Sequence, residues 1–147
     1  MGAILSRTRL KNIDPKIPIF DFNGYSTIAR IVNIYDGDTC HVIFRRWRKV
    51  IRLRIRMAHY DSPEIKAKNE PERLKAQDAK NYFTKLLEKS DFYVRVYFGK
   101  NDKWGRPLAT FYGISKLLGR NKGTSINEKM LETVHAEMYE GGKKSSW

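Results

Sequence analysis

The sequence predicts an α+β fold in which five strands form a small β-barrel, with helices inserted and appended. Alternating apolar and polar residues, typical of half-buried strands, run from Tyr25 to about Met57 and return over 92–98 and 108–112. Over Ala67 to Lys89 the apolar residues recur at helical spacing, and a last helix is predicted near Ile126. This arrangement fits a partly closed barrel of the OB type.

Composition indicates one domain with an anionic partner. The chain has 147 residues, and its 29 Lys and Arg against 16 Asp and Glu leave a net charge of +13. Such an excess favours nucleic acid or an anionic membrane surface as the partner. The single cysteine, Cys40, excludes an internal disulfide and favours a reducing compartment. No apolar run reaches membrane-spanning length and no secretory signal is present, so we expect a protein that is cytoplasmic, with or without a membrane anchor, rather than secreted. We also expect a monomer.

The chain divides into a basic N-terminal arm (1–23), a folded domain (24–140) and a flexible tail (141–147). The arm begins Met1-Gly2-Ala3-Ile4-Leu5-Ser6, which matches the pattern for N-myristoylation at Gly2. One acyl chain anchors a protein only marginally, so the basic residues that follow would act as a second membrane signal. Two interpretations stay open: an acylated arm at a cytosol-facing membrane, or a disordered basic arm.

The predicted strands and helices carry distinct side-chain patterns. In the third strand Ile51, Leu53, Ile55 and Met57 share one face, and Arg52, Arg54 and Arg56 share the other, so one face is core and the other meets anions or solvent. Residues 45–49 form a basic hairpin tip before it. The long helix has an apolar stripe of Leu74, Ala79, Tyr82, Phe83, Leu86 and Leu87. Ser125 and Glu128 predict a capping box for the last helix.

Three polar clusters follow the predicted strands: Asp36 to Thr39, then Arg56 with Asp61 to Glu64, then Asp102 to Arg106. Each has a structural explanation by itself, because Asp-Gly forms turns, Asp-Ser-Pro-Glu begins helices, and charges on a strand are usually solvated. Together they supply carboxylates for a hard metal ion, a spare carboxylate and two guanidiniums. That set suits phosphodiester cleavage, which must neutralise phosphate charge and activate water.

The segments 32–39, 56–64 and 102–109 resemble, in order, the three signature segments of the staphylococcal (micrococcal) nuclease or thermonuclease family. The later Ile126-Asn127-Glu128 resembles that family's Val-Asn-Glu helix start, so the similarity covers about residues 25 to 140.

The resemblance implies a role for each matched residue. Asp38 and Asp61 correspond to the carboxylates that bind Ca²⁺, together with the backbone carbonyl of Ser62, where relatives usually carry Thr. Glu64 corresponds to the residue that activates or orients water. Arg56 and Arg106 correspond to the arginines that hold the phosphate. A planar guanidinium can donate to two phosphate oxygens at once, which a lysine ammonium does less well.

Further residues are expected to support the site or contact substrate. Asp36 would support the site without being a ligand. Lys103 and Trp104 would touch substrate, where Trp retains a stacking surface but replaces a tyrosine hydroxyl with an N–H donor. Tyr139 is a candidate nucleotide contact, and His59 is interpreted as local packing.

The resemblance implies a Ca²⁺-dependent nuclease that acts on DNA and RNA, single-stranded or locally open, with little sequence preference and 3′-phosphate products. The alternative is a non-catalytic OB-fold nucleic-acid-binding module, with or without a membrane tether. The presence of Asp38, Asp61 and Glu64 argues against it, since a pure binder gains nothing from acids that face phosphate.

Overall fold

The computed structural model describes residues 2–144 and 146–147, so Met1 of the predicted arm and Ser145 of the predicted tail lie outside the described residues. The elements are α1 (Gly2–Lys11), β1 (Ser26–Ile34), β2 (Thr39–Arg46), β3 (Lys49–Met57), β4 (Tyr60–Asp61), α2 (Glu70–Glu88), β5 (Tyr93–Asn101), β6 (Pro107–Gly113), α3 (Ile126–Leu131) and β7 (Glu137–Met138).

Five strands form a closed barrel in the order β1-β2-β3-β6-β5. β5 pairs with β6 and with β1, which closes the ring, and only the β3–β6 pairing is parallel. The predicted α+β fold with a five-stranded OB-type barrel is confirmed. The barrel is fully closed rather than partly closed, because β1 has a partner on both edges.

The core lies between the inner faces of the strands and helix α2. Every strand of the barrel alternates inward apolar with outward residues, as in Val94, Val96 and Phe98 of β5. The prediction for Leu74 is wrong, since that side chain is 61% exposed. The buried stripe of α2 includes Ala76. Leu74 is two residues earlier, and at 100° per residue it lies on the opposite side of the helix.

The N-terminal arm contains a helix, α1, that the sequence analysis did not predict. None of its residues is buried. Ile4, Leu5 and Leu10 point in different directions around the helix, so it has no apolar face to pack on the barrel. Acylation of Gly2, at the start of α1, stays a prediction, as do the boundaries of arm and tail. Among the described residues no helix is long and apolar enough to cross a membrane.

The β2–β3 hairpin brings two of the polar clusters to one end of the barrel. Its two loop residues, Trp47 and Arg48, have φ of 51° and 61°, which a tight two-residue hairpin turn requires. The resulting register pairs Thr39 with Arg56. The turn that precedes β2 therefore lies beside the end of β3.

Helix α3 and strand β7 connect the C-terminal segment to this same end. The predicted capping box is present, with Ser125 Oγ accepting from Glu128 N–H and Glu128 accepting from Ser125 N–H. The short strands β4 and β7 pair with each other, so the chain after Glu137 passes close to Asp61. Two-residue strands are too short to produce a visible alternation, which is why the sequence did not indicate them.

Candidate active site

Arg56 lies at the centre of the site with its side chain buried. Its Nη2 atom donates a hydrogen bond of 2.7 Å to Asp61 Oδ1 and lies 3.6 Å from Asp38 Oδ2. Burial by itself would lower the pKa of Arg56, but Asp38 and Asp61 hold that pKa above its usual value. A permanently charged guanidinium therefore joins two acids from separate parts of the chain.

The turn that carries Asp38 is held from several sides. Asp38 Oδ1 accepts from the hydroxyl of Thr39 at 2.7 Å, and Asp38 Oδ2 accepts from the N–H of Ser62 at 3.1 Å. The buried hydroxyl of Tyr60 donates to the carbonyl of Gly37 at 2.7 Å. These bonds dock the first polar cluster directly against the second.

Gly37 permits this docking because it has no side chain. A Cβ atom there would lie 2.8 Å from Ser62 Oγ and 2.9 Å from Ala79 Cβ of α2. Its φ is not positive, so the requirement is space and not backbone conformation. The glycine that the sequence analysis interpreted as a turn former is needed for close approach.

The acids of the site are crowded, and one of their oxygens lacks a partner. Burial raises the pKa of Asp36 to about 7, and the charge of Asp38 adds to this. Burial also raises the pKa of Asp61, with Asp38 contributing, although Arg56 and Lys144 act in the opposite direction. Asp61 Oδ2 is buried and has no hydrogen-bond partner in the part of the chain that the structure describes. A buried carboxylate oxygen of this kind is expected where a protein binds a cation, because burial without a partner is costly.

Glu64 lies at the mouth of the site, on the segment that follows Asp61. Its side chain is 57% exposed, and its Oε1 atom accepts a hydrogen bond of 2.6 Å from Lys144 Nζ. The same ammonium lies 3.5 Å from Asp61 Oδ1. The C-terminal segment thus places a cation against two of the predicted functional acids.

Arg106 is oriented by Asp102, four residues earlier in the turn between β5 and β6. Asp102 Oδ2 accepts from Arg106 Nε at 2.7 Å, and its Oδ1 accepts from the backbone N–H groups of Trp104 and Arg106, both at 2.9 Å. Burial would raise the pKa of Asp102, but these hydrogen bonds outweigh it and hold that pKa below its usual value. Asp102 stays ionised and directs the Arg106 guanidinium.

Two adjoining cavities contain most of the predicted site residues. One, of about 190 Å³, is lined by Asp36, Asp38, Arg56, Glu64 and Arg106, together with Tyr35, Arg54 and Lys144. Asp61 and Ser62 contact this set through Arg56 and Asp38. The structure therefore brings the three polar clusters together.

The second cavity, of about 490 Å³, is more apolar and shares Arg56 and Arg106 with the first. Lys103, Trp104 and Tyr139 line it. Tyr139 places its ring 5.1 Å from the Arg56 guanidinium, and Trp104 is 73% exposed. Gly2 lines neither cavity.

His59 departs from a simple packing role. Its backbone has a positive φ of 72°, and its Nδ1 atom lies 2.7 Å from Glu140 Oε1. The side chain is 57% exposed, so this is a surface contact between the β3–β4 turn and the C-terminal segment. His59 contributes to closing one side of the second cavity.

The residues present fit a hard divalent cation. Among the described residues no group of three or more His, Cys, Asp and Glu side chains is arranged to hold a metal ion. The predicted set is smaller, with two carboxylates and one backbone carbonyl, and it leaves further positions for water and substrate oxygens. The unpartnered Asp61 Oδ2 supplies oxygen of the kind that Ca²⁺ prefers.

The closed barrel and the acid–arginine site at the end of β3 are those of an OB-type domain of the nuclease or nucleic-acid-binding class. The model of the staphylococcal nuclease homologue family matches residues 54–146, which is more than half of the chain, and the chain belongs to that family. The match covers Arg56, Asp61, Ser62, Glu64 and Arg106, but not Asp38. A comparison with curated proteins gives no significant match.

Sequence reasoning gave no role to several residues that the structure places at the site. Asp102 was named as the start of the third polar cluster, but its contact with Arg106 was not predicted. Its signal was an Asp followed by Gly105 and Arg106, which is typical of a turn closed by an aspartate side chain. Lys144 had none, because its contact with Glu64 joins residues 80 positions apart. Tyr60 was also missed, since a buried tyrosine in a strand usually indicates only packing.

Proposed function

We propose that this protein is a Ca²⁺-dependent nuclease that hydrolyses phosphodiester bonds of DNA and RNA with little sequence preference and leaves 3′-phosphate ends. The observation that carries the proposal is the convergence of Asp38 and Asp61 on one nitrogen of Arg56, with Asp61 Oδ2 buried and unpartnered. A site for binding alone has no use for buried acids beside a phosphate-binding arginine, because they repel phosphate.

Asp38, Asp61 and the backbone carbonyl of Ser62 would hold the ion. When bound, Ca²⁺ neutralises phosphate charge and favours ionisation of a bound water. Membership of the staphylococcal nuclease homologue family supports this assignment, as does the oxygen-only character of the three groups.

The protein side chains supply the remaining chemistry. Glu64 lines the same cavity and lies at its mouth, where it would accept a proton from the attacking water. Arg56 and Arg106 border that cavity and would bind the two free phosphate oxygens. These oxygens carry more negative charge in the five-coordinate transition state, so the two arginines would stabilise that state more than the bound substrate. Arg56 is positioned by Asp61, and Arg106 by Asp102.

The proposal is tested by digestion of single-stranded DNA with Ca²⁺ or with chelator. Glu64→Gln should lower kcat by about 10² to 10⁴-fold, the usual contribution of a general base. Arg106→Lys should lower kcat by about 10² to 10³-fold, because an ammonium point charge replaces a guanidinium that can donate to two phosphate oxygens. Products that resist polymerase extension until a phosphatase removes the 3′-phosphate would support the proposed end chemistry.

Glu88→Gln is the matched control, because Glu88 is an exposed glutamate at the end of α2. It should cleave as the wild type does. Equal digestion with Ca²⁺ and with chelator, or full activity of Glu64→Gln, would contradict the proposal. A protein that binds single strands but shows no Ca²⁺-linked thermal shift would instead be the non-catalytic module.

A further inference from the structure

The outer face of the β2–β3 ladder carries exposed arginines that the proposed chemistry does not use. Arg52 and Arg54 alternate along β3 with Leu53 and Ile55, which point inward. Across the ladder, Arg52 pairs with Ile43 and Arg54 with His41, so these residues share the outer face. Arg45 continues the face toward the hairpin tip. We call Arg45, Arg52 and Arg54 the arginine track.

The track is not neutralised by any acidic residue that the structure describes. None of its three arginines forms an ion pair there, although Arg56 at the end of the same strand pairs with two acids. Their positive charge is therefore available to an external anion.

Neighbouring side chains are arranged as acceptors and as flat surfaces. His41 Nδ1 lies 3.3 Å from Arg52 Nη2 and 3.4 Å from Asn33 Nδ2, so this nitrogen is placed to accept from two donors. Burial, and then Arg52 and Arg54, lower the pKa of His41. The Arg54 guanidinium lies 4.9 Å from the ring centre of Tyr35. A guanidinium beside an aromatic ring is a surface on which a nucleobase can stack.

The track leads into the candidate active site. Arg54 and Tyr35 line the same cavity as Arg56, Glu64 and Arg106. Alternate residues on a strand are about 6.6 Å apart, since the rise is about 3.3 Å per residue. Successive phosphates of an extended single strand are spaced similarly, so the series from Arg52 through Arg54 to Arg56 can meet consecutive phosphates.

We propose that the arginine track binds the backbone of a single-stranded nucleic acid and guides it into the cavity at Arg56. The strand runs along the outer face of β3, with phosphates at Arg52 and Arg54 and the scissile phosphate beyond them. This inference rests on the proposed function for the identity of the reacting site. The track itself needs only a polyanion, so binding and cleavage can be tested separately.

The binding test measures a fluorescently labelled oligothymidylate with chelator present, so that no cleavage occurs. Removing one arginine that binds a phosphate of a single strand should reduce the slope of log K against log salt by about 0.7. Arg52→Gln/Arg54→Gln should therefore bind more weakly, with a slope lower by about 1.4. Arg52→Lys/Arg54→Lys keeps both charges and should keep the slope.

Lys85→Gln/Lys89→Gln is the matched control, because it removes the same charge from the exposed end of α2. It should leave affinity and slope at wild-type values. Equal losses in this control and in the Arg52→Gln/Arg54→Gln variant would overturn the proposal, since net charge would then explain both. Unchanged binding by the Arg52→Gln/Arg54→Gln variant would overturn it as well.

Cleavage supplies the second readout. With a long single strand, Arg52→Gln should raise KM and leave kcat within about twofold, because Arg52 lies outside the cavity that takes the reacting phosphate. With a dinucleotide, too short to reach Arg52, Arg52→Gln and wild type should behave alike. An equal fall in kcat/KM on the long strand and on the dinucleotide would contradict the role of the track in binding the strand. Absence of cleavage by the wild type would refute the proposed nuclease function while the binding test still decides the track.

Discussion

At the scale of single residues, the site depends on contacts that leave little space. Gly37 is one such position, because its backbone lies against Ser62 and against Ala79 of α2. A methyl group there would contact both at under 3.0 Å. The turn would have to move away, and the hydrogen bond from Ser62 N–H to Asp38 would lengthen.

We therefore predict that Gly37→Ala lowers the free energy of unfolding by about 1 to 3 kcal/mol, as overpacking usually does. It should also lower cleavage by displacing Asp38. Urea denaturation and digestion of single-stranded DNA would measure the two effects. Gly99→Ala is the control, because a Cβ there would meet only the Leu108 carbonyl at 3.5 Å. A Gly37→Ala protein as stable and active as Gly99→Ala would contradict the close-approach argument.

Asp102 carries a pH-dependent prediction. Its pKa in the folded protein lies below the ordinary 3.8 through hydrogen bonds with Arg106 and Trp104. A carboxyl group whose pKa is lower in the folded protein stabilises the fold fully above pH 3.8, its ordinary pKa. That stabilisation is lost as the pH falls through the lower pKa of the folded protein. Asp102→Asn should therefore cost about 2 kcal/mol at neutral pH, and the difference from wild type should narrow below pH 3.8.

Urea denaturation over a pH series would measure this difference. Asp78→Asn, a change of the same kind at an exposed position of α2, should cost little at any pH. A gap between Asp102→Asn and wild type that stays constant with pH would show that the side chain acts through shape and not through charge.

At the scale of elements, α3 ties the end of β3 to β6 through one buried side chain. Asn127 Nδ2 donates to the carbonyls of Ala58 and Ala109 at 2.9 and 3.1 Å, and its Oδ1 accepts from Phe111 N–H at 3.0 Å. The parallel β3–β6 pairing is short, with two residue pairs, so these bonds extend it. Asn127 thereby holds the chain between Arg56 and Asp61 in place.

We predict that Asn127→Ala lowers the free energy of unfolding by about 2 to 4 kcal/mol, since it leaves buried backbone groups without partners. Cleavage should fall further than the loss of folded protein explains, because Asp61 follows the segment that Asn127 holds. Thermal denaturation and kcat per folded molecule would be measured together. Lys129→Ala, in the same helix, is the control, and similar results for both variants would refute the role.

At the scale of the whole molecule, the C-terminal segment returns across the barrel to the site. The pairing of β4 with β7 directs it there, and Lys144 then contacts both Glu64 and Asp61. Its ammonium and a bound Ca²⁺ would compete for the Asp61 carboxylate. The hydrogen bond to Glu64 and the charge of Asp61 raise the pKa of Lys144, against the effect of burial, so this group is charged at neutral pH.

We predict that Lys144→Met increases the apparent affinity for Ca²⁺ by about two- to fivefold, which corresponds to one partly exposed ion pair. The readout is the thermal shift during a Ca²⁺ titration, which does not require activity. Lys143→Met removes the same charge from the neighbouring exposed residue and should not change the affinity. An unchanged or weaker Ca²⁺ affinity for Lys144→Met would contradict competition at the Asp61 carboxylate.

Much of the fold could be predicted from the sequence because it depends on local patterns. Alternation along β3, the helical stripe ending at Leu87 and the Ser125 cap each depend on residues a few positions apart. The error at Leu74 arose because that leucine fits helical composition while lying outside the buried stripe. Helix α1 was not predicted because it buries nothing and has no apolar periodicity.

The residue types of the candidate site can be read from the amino-acid order, since Asp38, Asp61, Glu64, Arg56 and Arg106 lie in the three segments that resemble the family's signature segments. Which of these groups meet is a property of the folded chain: two acids on one nitrogen of Arg56, Asp102 on Arg106, and Lys144 on Glu64. The difference comes from the range of the forces involved. Periodicity and turn chemistry act between near neighbours, whereas these ion pairs form only after barrel closure brings distant segments together.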